Sequence, residues 1–279
     1  MVSRQQKINM DDTTQKLLTQ FGFKFGRNGA HSSRTIMLKE IQALFSSTQA
    51  TAKLEQYQSE IVDYNCLNKS TANTRKLTFR HLKDLYALDD QLPLFRVLRQ
   101  LWEIEPDAQA ILALQLAYAR DPLFRMSSDC ILSHKPGEQV HREEIEEILK
   151  KDDPERFSPA SLKSFAQNIN SSWTQAGYLK GKGRKIRQIP TISAINVIFA
   201  LFQGHIYGLS GERLFNSRWI KILNTPVERL QELASAASYR GLIDYKQSGG
   251  VIDVRFNDFL IPEEQQLLQE LHQDMSKET

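Results

Sequence analysis

Five cationic side chains lie close together near the middle of the C-terminal half, and phosphate binding is the chemistry that such a group can perform. They are Lys180, Lys182, Arg184, Lys185 and Arg187, with glycines interleaved among the first of them. Lysine and arginine bind phosphate oxygens through charge-assisted hydrogen bonds. No aspartate or glutamate occurs from residue 156 to residue 211. The run therefore predicts a surface that binds a polyanion.

A helix is predicted directly before this cationic run. Ser158 can cap it, Pro159 suits its first position and Gly177 can end it. Apolar residues recur on one face at helical spacing: Leu162, Phe165, Ala166, Ile169, Trp173 and Ala176. The opposite face carries Lys163, Ser164, Gln167, Asn168 and Ser171. We expect Lys163, Gln167 and Asn168 to contact phosphates or base edges.

The cationic run itself predicts a two-stranded ribbon. Residues 178–189 alternate polar and apolar side chains around a glycine-containing turn. A helix followed by a basic ribbon is typical of a winged helix. A second helix is predicted up to Arg240, with Thr225 and Glu228 at capping-box spacing, and residues 242–256 then predict a second hairpin. We therefore expect two winged-helix-like units in the C-terminal half.

A second basic face is predicted in the N-terminal half. Residues 53–64 and 70–86 predict two helices joined by a short connection. At about 100° per residue, Lys76, Arg80 and Lys83 share an arc of roughly 80° on the second helix. Such a pair is a helix-turn-helix candidate. A bundle helix with ordinary surface lysines would show the same spacing, so both interpretations stay open.

The chain as a whole has 279 residues, a formal net charge of +3 and a hydrophobic share of 41%. It has no run near the roughly 18 apolar residues that cross a membrane and no apolar leader at its N-terminus, so we expect a soluble, cytoplasmic protein without a membrane partner. The only two cysteines, Cys66 and Cys130, are then expected to be reduced.

The fold class that these patterns predict is mostly α-helical, with a multi-helical N-terminal domain and C-terminal winged-helix-like units that carry short β-hairpins. The predicted parts are a mobile N-terminal arm with a short helix (1–30), a helical domain with the helix-turn-helix candidate (31–137), the acidic helix with the first winged-helix-like unit (138–222), a second helix-plus-hairpin unit (223–262) and a C-terminal tail helix (263–279). The tail is expected to fray or to meet a partner.

Motifs of catalysis and cofactor binding are absent from the sequence. There is no P-loop, no dinucleotide fingerprint, no HExxH and no paired CxxC, and the six histidines are scattered. We therefore expect no enzyme activity, no catalytic residue, no cofactor, no metal site and no small-molecule substrate. The acidic segment 143–147 is best explained as a solvated face. Asp244 and Asp253 faintly resemble nuclease carboxylates, although alternating charge on an exposed ribbon explains them more simply.

Several segments carry a resemblance to a known family: LNKSTANTRKLTFRHLKDLYAL, PLFRVLRQLW, ARDPLFR, FSPASLKSFAQNINSSWTQAGYLKG and GLIDYKQSGGVIDVRF. In layout and in these segments, the chain resembles the BrxA family of bacterial BREX phage-exclusion systems over roughly residues 31–256. The resemblance implies a helical, non-enzymatic DNA-binding component of antiviral defence. It also implies other defence-system proteins as partners, among them a methyltransferase, an ATPase and a phosphatase-like protein. It assigns no individual binding residue.

Double-stranded DNA, bound with low sequence specificity, is the partner that the sequence favours. Six neutralised phosphates would give a slope of log affinity on log salt near roughly −5. An RNA-binding or protein-assembly adaptor is the first alternative, because RNA and acidic proteins also attract a basic surface. A metal-dependent nuclease is the second alternative.

Overall fold

The computed structural model describes residues 12–151 and 153–277, and it is mostly helical with a few short antiparallel strands, as predicted. The N-terminal half contains α1 (Asp12–Gln20), α2 (Leu38–Ser47), α3 (Leu54–Val62), α4 (Ala72–Tyr86), α5 (Pro93–Trp102), α6 (Gln109–Arg120), α7 (Pro122–Met126) and α8 (Ser128–Ser133), with 3₁₀ turns at Ala30–Ser32 and Pro106–Ala108. None of the helices in the described ranges combines the length and apolar character that a bilayer crossing requires.

The C-terminal half interleaves helices with two small sheets. Its elements are β1 (Gln139–Val140), α9 (Arg142–Lys150), α10 (Pro159–Gln175), β2 (Leu179–Lys180), β3 (Lys185–Arg187), α11 (Ala194–Ile206), α12 (Glu212–Phe215), α13 (Arg218–Lys221), α14 (Val227–Tyr239), β4 (Asp244–Ser248), β5 (Val251–Arg255) and α15 (Pro262–Lys277). The helix-then-hairpin order therefore occurs twice, as predicted.

The ends of α10 follow from local sequence. The Ser158 hydroxyl accepts a hydrogen bond from the N–H of Ser161 at 3.2 Å, Pro159 occupies the first turn, and Gly177 adopts a φ of +82° after the last turn.

The capping box predicted at Thr225 is wrong. The Thr225 hydroxyl donates to the carbonyl oxygen of Leu223 at 3.0 Å, and α14 begins only after Pro226.

Helices α6 and α11 lie at the centre of the core, which explains why their sequences are apolar on every side. The buried side chains form one continuous cluster that extends from Leu18 to Leu271 and crosses the predicted boundary at residue 137. Two buried side-chain amides link the two helices. Gln115 donates to the carbonyl oxygen of Asn196 at 2.8 Å, and Gln203 donates to that of Gln115 at 3.0 Å. The predicted domain boundaries stay predictions.

Both ends of the described chain pack into this core. The expectation of a mobile N-terminal arm is wrong for residues 12–30, because Phe21 and Phe23 are fully buried; residues 1–11 lie outside the described residues. The tail forms the expected helix, α15, but it is docked rather than frayed. Leu268 and Leu271 are buried, and Glu264 forms an ion pair with Arg96.

The contact between α11 and α15 should make stability sensitive to acid. Burial and, secondarily, the neighbouring His272 lower the pKa of His205 to about 4. The unfolded chain takes up this proton below a pH of about 6.5, whereas the folded chain resists it until pH approaches 4, so acid favours unfolding. We expect preferential protonation of this histidine in the unfolded chain to lower the unfolding free energy by up to about 3 kcal/mol between these two pH values.

Urea unfolding at pH 7 and pH 4.5 measures this effect. His205→Gln should show a smaller loss of unfolding free energy on acidification than the wild type, whereas His141→Gln, at an exposed position, should match the wild type. An identical acid dependence in the His205 variant would contradict the assignment.

The cationic run forms the predicted hairpin, within a sheet of strand order β1-β3-β2. Leu179 pairs with Arg187, and Gln139 of β1 pairs with Ile186 on the other side of β3. Strand β1 was not predicted. The turn requires glycine at position 181, because its φ is +108° and a Cβ there would lie 2.1 Å from the carbonyl oxygen of Arg184. The second hairpin pairs β4 with β5.

Candidate nucleic-acid interface

The basic hairpin, residues 179–187, presents three free cations to solvent. Lys180, Lys182 and Arg184 are exposed at its turn, and within the described ranges no carboxylate forms an ion pair with any of them. Strand β2 contacts α10, whose exposed face carries Lys163 and Gln167. The structure therefore brings these five predicted contacts onto two adjoining elements.

The acidic helix α9 does not neutralise the hairpin, although it also packs against α10. Arg142 forms ion pairs with Glu143 at 2.7 Å and Glu146 at 2.6 Å. Glu147 pairs with Lys150 at 2.8 Å. These carboxylates thus find their partners on their own helix, which leaves the charge of the hairpin uncompensated.

Lys185 and Asn168 serve mainly to hold the fold. The Lys185 ammonium donates hydrogen bonds to the carbonyl oxygen of Gly181 at 2.7 Å and to the hydroxyl of Thr174 at 3.0 Å, and burial lowers its pKa. Lys185 therefore ties the hairpin turn to α10. The half-buried Asn168 side chain donates to the carbonyl oxygen of His31 at 3.1 Å. Both side chains lie at the edge of the candidate interface.

The prediction that Arg187 contacts DNA is wrong, because its side chain is fully buried. Its Nε donates to the carbonyl oxygen of Ile131 at 3.0 Å, and its guanidinium lies over the Tyr178 ring, 5.3 Å from the centroid. The strand register explains this placement. Arg187 stands opposite the buried Leu179, and residues directly opposite each other point to the same face of a sheet.

Arg187 should therefore contribute to stability rather than to binding. We expect Arg187→Met to lower the unfolding free energy by about 1.5–3 kcal/mol, the usual range for hydrogen bonds to a charged group. The exposed hairpin position supplies a matched control, because Lys182→Met should change stability by less than about 0.5 kcal/mol. Urea unfolding of both variants measures the difference, and equal stabilities would contradict the structural role.

The second predicted basic face lies on α4. Lys76, Arg80 and Lys83 are all exposed, and in the described part of the chain none of them has an ion-pair partner. The connection between α3 and α4 runs over residues 63–71, which is longer than the turn of about three to four residues usual in helix-turn-helix motifs. Helices α4 and α10 both contact the 3₁₀ turn Ala30–Ser32, so they flank one segment.

A buried Ser–His–Asp arrangement, not foreseen from sequence, includes His31 of this 3₁₀ turn. His31 Nδ1 is 2.8 Å from Asp121 Oδ2, and His31 Nε2 is 2.8 Å from Ser172 Oγ. All three side chains are fully buried. Ser172 Oγ also accepts the N–H of Ile36 at 2.9 Å. A nucleophile must reach a substrate, so this buried network is best explained as a structural link between the 3₁₀ turn, the N-terminus of α7 and α10.

The two aspartates considered for a nuclease each have a partner on the second hairpin or beside it. Asp253 forms an ion pair with Arg255 at 2.9 Å, and Asp244 accepts a hydrogen bond from Asn257 at 2.7 Å. Strand pairing places Asp244 opposite Arg255. This arrangement fits alternating charge on an exposed ribbon better than a metal centre.

A cavity of about 790 Å³ lies between the N-terminal segment, α7 and α13. Its partly buried Arg125 donates to backbone carbonyls, and Arg27 forms an ion pair with Asp153 at 3.1 Å. Arg218 and Lys221 remain exposed at its margin, with no carboxylate partner among the residues that the structure describes. Arg27 and Arg125 are thus engaged within the protein, whereas Arg218 and Lys221 are not paired with a carboxylate of the described chain.

The exposed members of the predicted interface form two groups. They are Lys163, Gln167, Lys180, Lys182 and Arg184 on α10 and the basic hairpin, and Lys76, Arg80 and Lys83 on α4. Neither a protein-family model nor a curated protein matches this chain. The functional argument therefore depends on these two surfaces and on the elements that hold them.

Proposed function

We propose that this chain binds double-stranded DNA with little sequence preference, through the basic hairpin and the exposed face of α10. The observation that carries the proposal is the exposure of Lys180, Lys182 and Arg184 on one rigid turn without a neighbouring carboxylate. Cations displayed in this way release counterions from phosphates, which supplies affinity that does not depend on sequence.

The order of elements around the hairpin supports a winged-helix unit. A helix (α8), a strand (β1), two packed helices (α9 and α10) and a hairpin (β2 and β3) follow one another, and the sheet order β1-β3-β2 places the first strand beside the last. In this interpretation α10 is the helix that approaches the duplex and the turn at residues 181–184 is the wing. Lys163 and Gln167 would then contact the backbone or base edges.

The basic face of α4 supports a second area of contact. Because α4 and α10 flank the same 3₁₀ turn, a duplex that lies along α10 could also reach Lys76, Arg80 and Lys83. These side chains would contribute phosphate contacts without sequence readout. The helix-turn-helix interpretation of α3 and α4 remains part of the proposal, with a connection that is longer than usual.

The wider role follows from the resemblance described above. A chain similar to the BrxA family would act in bacterial phage defence as a non-enzymatic DNA-binding component, beside other proteins of the system. The alternatives are an RNA-binding or protein-assembly adaptor, which would use the same cations on another polyanion, and a metal-dependent nuclease.

Fluorescence anisotropy with a labelled duplex, a matched RNA and a salt series tests the proposal. Four phosphate contacts, from Lys163 and the three hairpin cations, predict a slope of log affinity on log salt near about −3.6, and the three α4 cations would bring it to about −6.3. Unrelated duplex sequences should bind with similar affinity. Stronger binding to the RNA, or no binding at low salt, would contradict the proposal. Cleavage of the duplex with magnesium or manganese would favour the nuclease.

A further inference from the structure

The structure brings together three side chains that the sequence keeps apart, and they are of the types that bind transition metals. Cys130 lies on α8, His134 directly follows that helix, and Glu144 lies in the first turn of α9. One potential ligand atom from each residue lies within 4.8 Å of the other two. All three residues are partly buried, so a small ion could enter from solvent.

The hydrogen bonds of His134 leave a lone pair facing a carboxylate. Its Nδ1 is 2.7 Å from the carbonyl oxygen of Cys130. A carbonyl can only accept a hydrogen bond, so Nδ1 must carry the proton. In the neutral imidazole, Nε2 is then unprotonated, yet it lies 3.2 Å from Glu144 Oε2. Two acceptors face each other at this distance only if a cation, either a proton or a metal ion, lies between them.

We propose that Cys130, His134 and Glu144 bind a divalent transition-metal ion of the zinc type. Zinc bond lengths and tetrahedral angles place a ligand nitrogen and oxygen about 3.3 Å apart, and a ligand sulfur and oxygen about 3.6 Å apart. The observed separations from Glu144 Oε2 are 3.2 Å to His134 Nε2 and 4.0 Å to Cys130 Sγ. These two separations are thus within about 0.4 Å of the zinc values, and the third, from His134 Nε2 to Cys130 Sγ, is at most 4.8 Å.

The groups around the three ligands already have the orientation that such a site requires. A ligating histidine usually donates its other N–H to a carbonyl or carboxylate, as His134 does. Glu144 Oε1 accepts the N–H of His141 at 2.7 Å, which fixes the carboxylate and leaves Oε2 for the ion. Three protein ligands leave the fourth position of a tetrahedral zinc ion to water or to an added ligand.

Metal uptake must displace a proton from the thiol. Burial and the charge of Glu144 raise the pKa of Cys130 to about 11, so the thiol stays protonated at neutral pH without a metal ion. A bound divalent cation opposes both effects and favours the thiolate. A metal ion bound at this site would join α8 to α9. The segment between these helices contains β1, the strand that pairs with the basic hairpin.

Cobalt substitution on the full chain, purified without a histidine tag, tests the site directly. One equivalent of Co²⁺ should give a thiolate-to-cobalt charge-transfer band in the near ultraviolet, and zinc should abolish it by competition. Cys130→Ser should remove the band, and Glu144→Gln, which keeps an oxygen for the His141 N–H, should weaken metal binding by at least about tenfold. These readouts do not depend on DNA binding.

Two controls separate this site from adventitious binding. Cys66→Ser removes the other cysteine, and Glu143→Gln removes an exposed neighbouring carboxylate; both variants should keep the band and the affinity of the wild type. Absence of a thiolate band in the wild type would overturn the proposal and would leave an imidazolium–carboxylate pair between His134 and Glu144. Retention of the band in Cys130→Ser would also overturn it.

Discussion

Replacing Asp121 with alanine is expected to lower the unfolding free energy by about 3–5 kcal/mol, the usual effect of removing one partner from a buried polar pair. Asp121 Oδ2 accepts the backbone N–H of His31 at 2.8 Å and contacts His31 Nδ1 at the same distance. Its Oδ1 accepts the N–H of Phe124 at 3.0 Å. All of these groups would lose their partner in a site without solvent.

The pH dependence of this contribution follows from the pKa of Asp121. Burial acts to raise this pKa, but the contacts with His31 and the backbone N–H of Phe124 outweigh it, so the pKa lies below its usual value. A depressed carboxyl pKa adds stability above the unfolded pKa, near about 3.9, and the stability is lost as pH falls through the folded pKa. The unfolding free energies of the wild type and of Asp121→Ala should therefore approach each other only in strong acid.

Urea unfolding at pH 7 measures the loss, and Asp129→Ala is a matched control because Asp129 is an exposed aspartate on α8. That control should change stability by less than about 0.5 kcal/mol. A loss below about 1 kcal/mol in Asp121→Ala would show that the network adds little. Gly29→Ala probes the same contact from the other side, since a Cβ there would lie 1.8 Å from Asp121 Oδ1.

The helices could be predicted because their signals are local. The boundaries of α10 depend on Ser158, Pro159 and Gly177, which act within one turn of the helix ends. Lys180, Lys182 and Arg184 could be predicted to be exposed, because glycines interleaved among them indicate the turn of a hairpin. Strand β1 could not be predicted, because two residues carry no periodicity and their pairing with β3 depends on a distant segment.

The errors in the candidate site arise from contacts between residues that are far apart in sequence. Arg187 belongs to a charged run, and only the register against Leu179 shows that it points inward. The His31, Asp121 and Ser172 network joins residues separated by 90 and 141 positions. Cys130 and His134 have a helical spacing, but Glu144 meets them only because α9 follows a tight connection through β1.

Replacing Lys180, Lys182 and Arg184 with alanine together is expected to weaken duplex binding by roughly 100- to 1,000-fold at about 0.1 M salt. Each lost phosphate contact reduces the slope of log affinity on log salt by about 0.9, so the slope should become about 2.7 less negative. The loss should be the same for unrelated duplex sequences, because these side chains would contact phosphates rather than base edges.

Anisotropy titrations at several salt concentrations measure both quantities, and a charge-matched variant separates position from net charge. Lys16, Lys39 and Lys246 are exposed, and among the described residues none has an ion-pair partner. Replacing these three with alanine removes the same charge from other elements and should lower affinity by less than about tenfold, because only distant, salt-screened attraction is lost. An equal loss in both variants would mean that the chain binds DNA through its overall charge. Wild-type affinity in the hairpin variant would assign binding to another surface, with α4 the next to be tested.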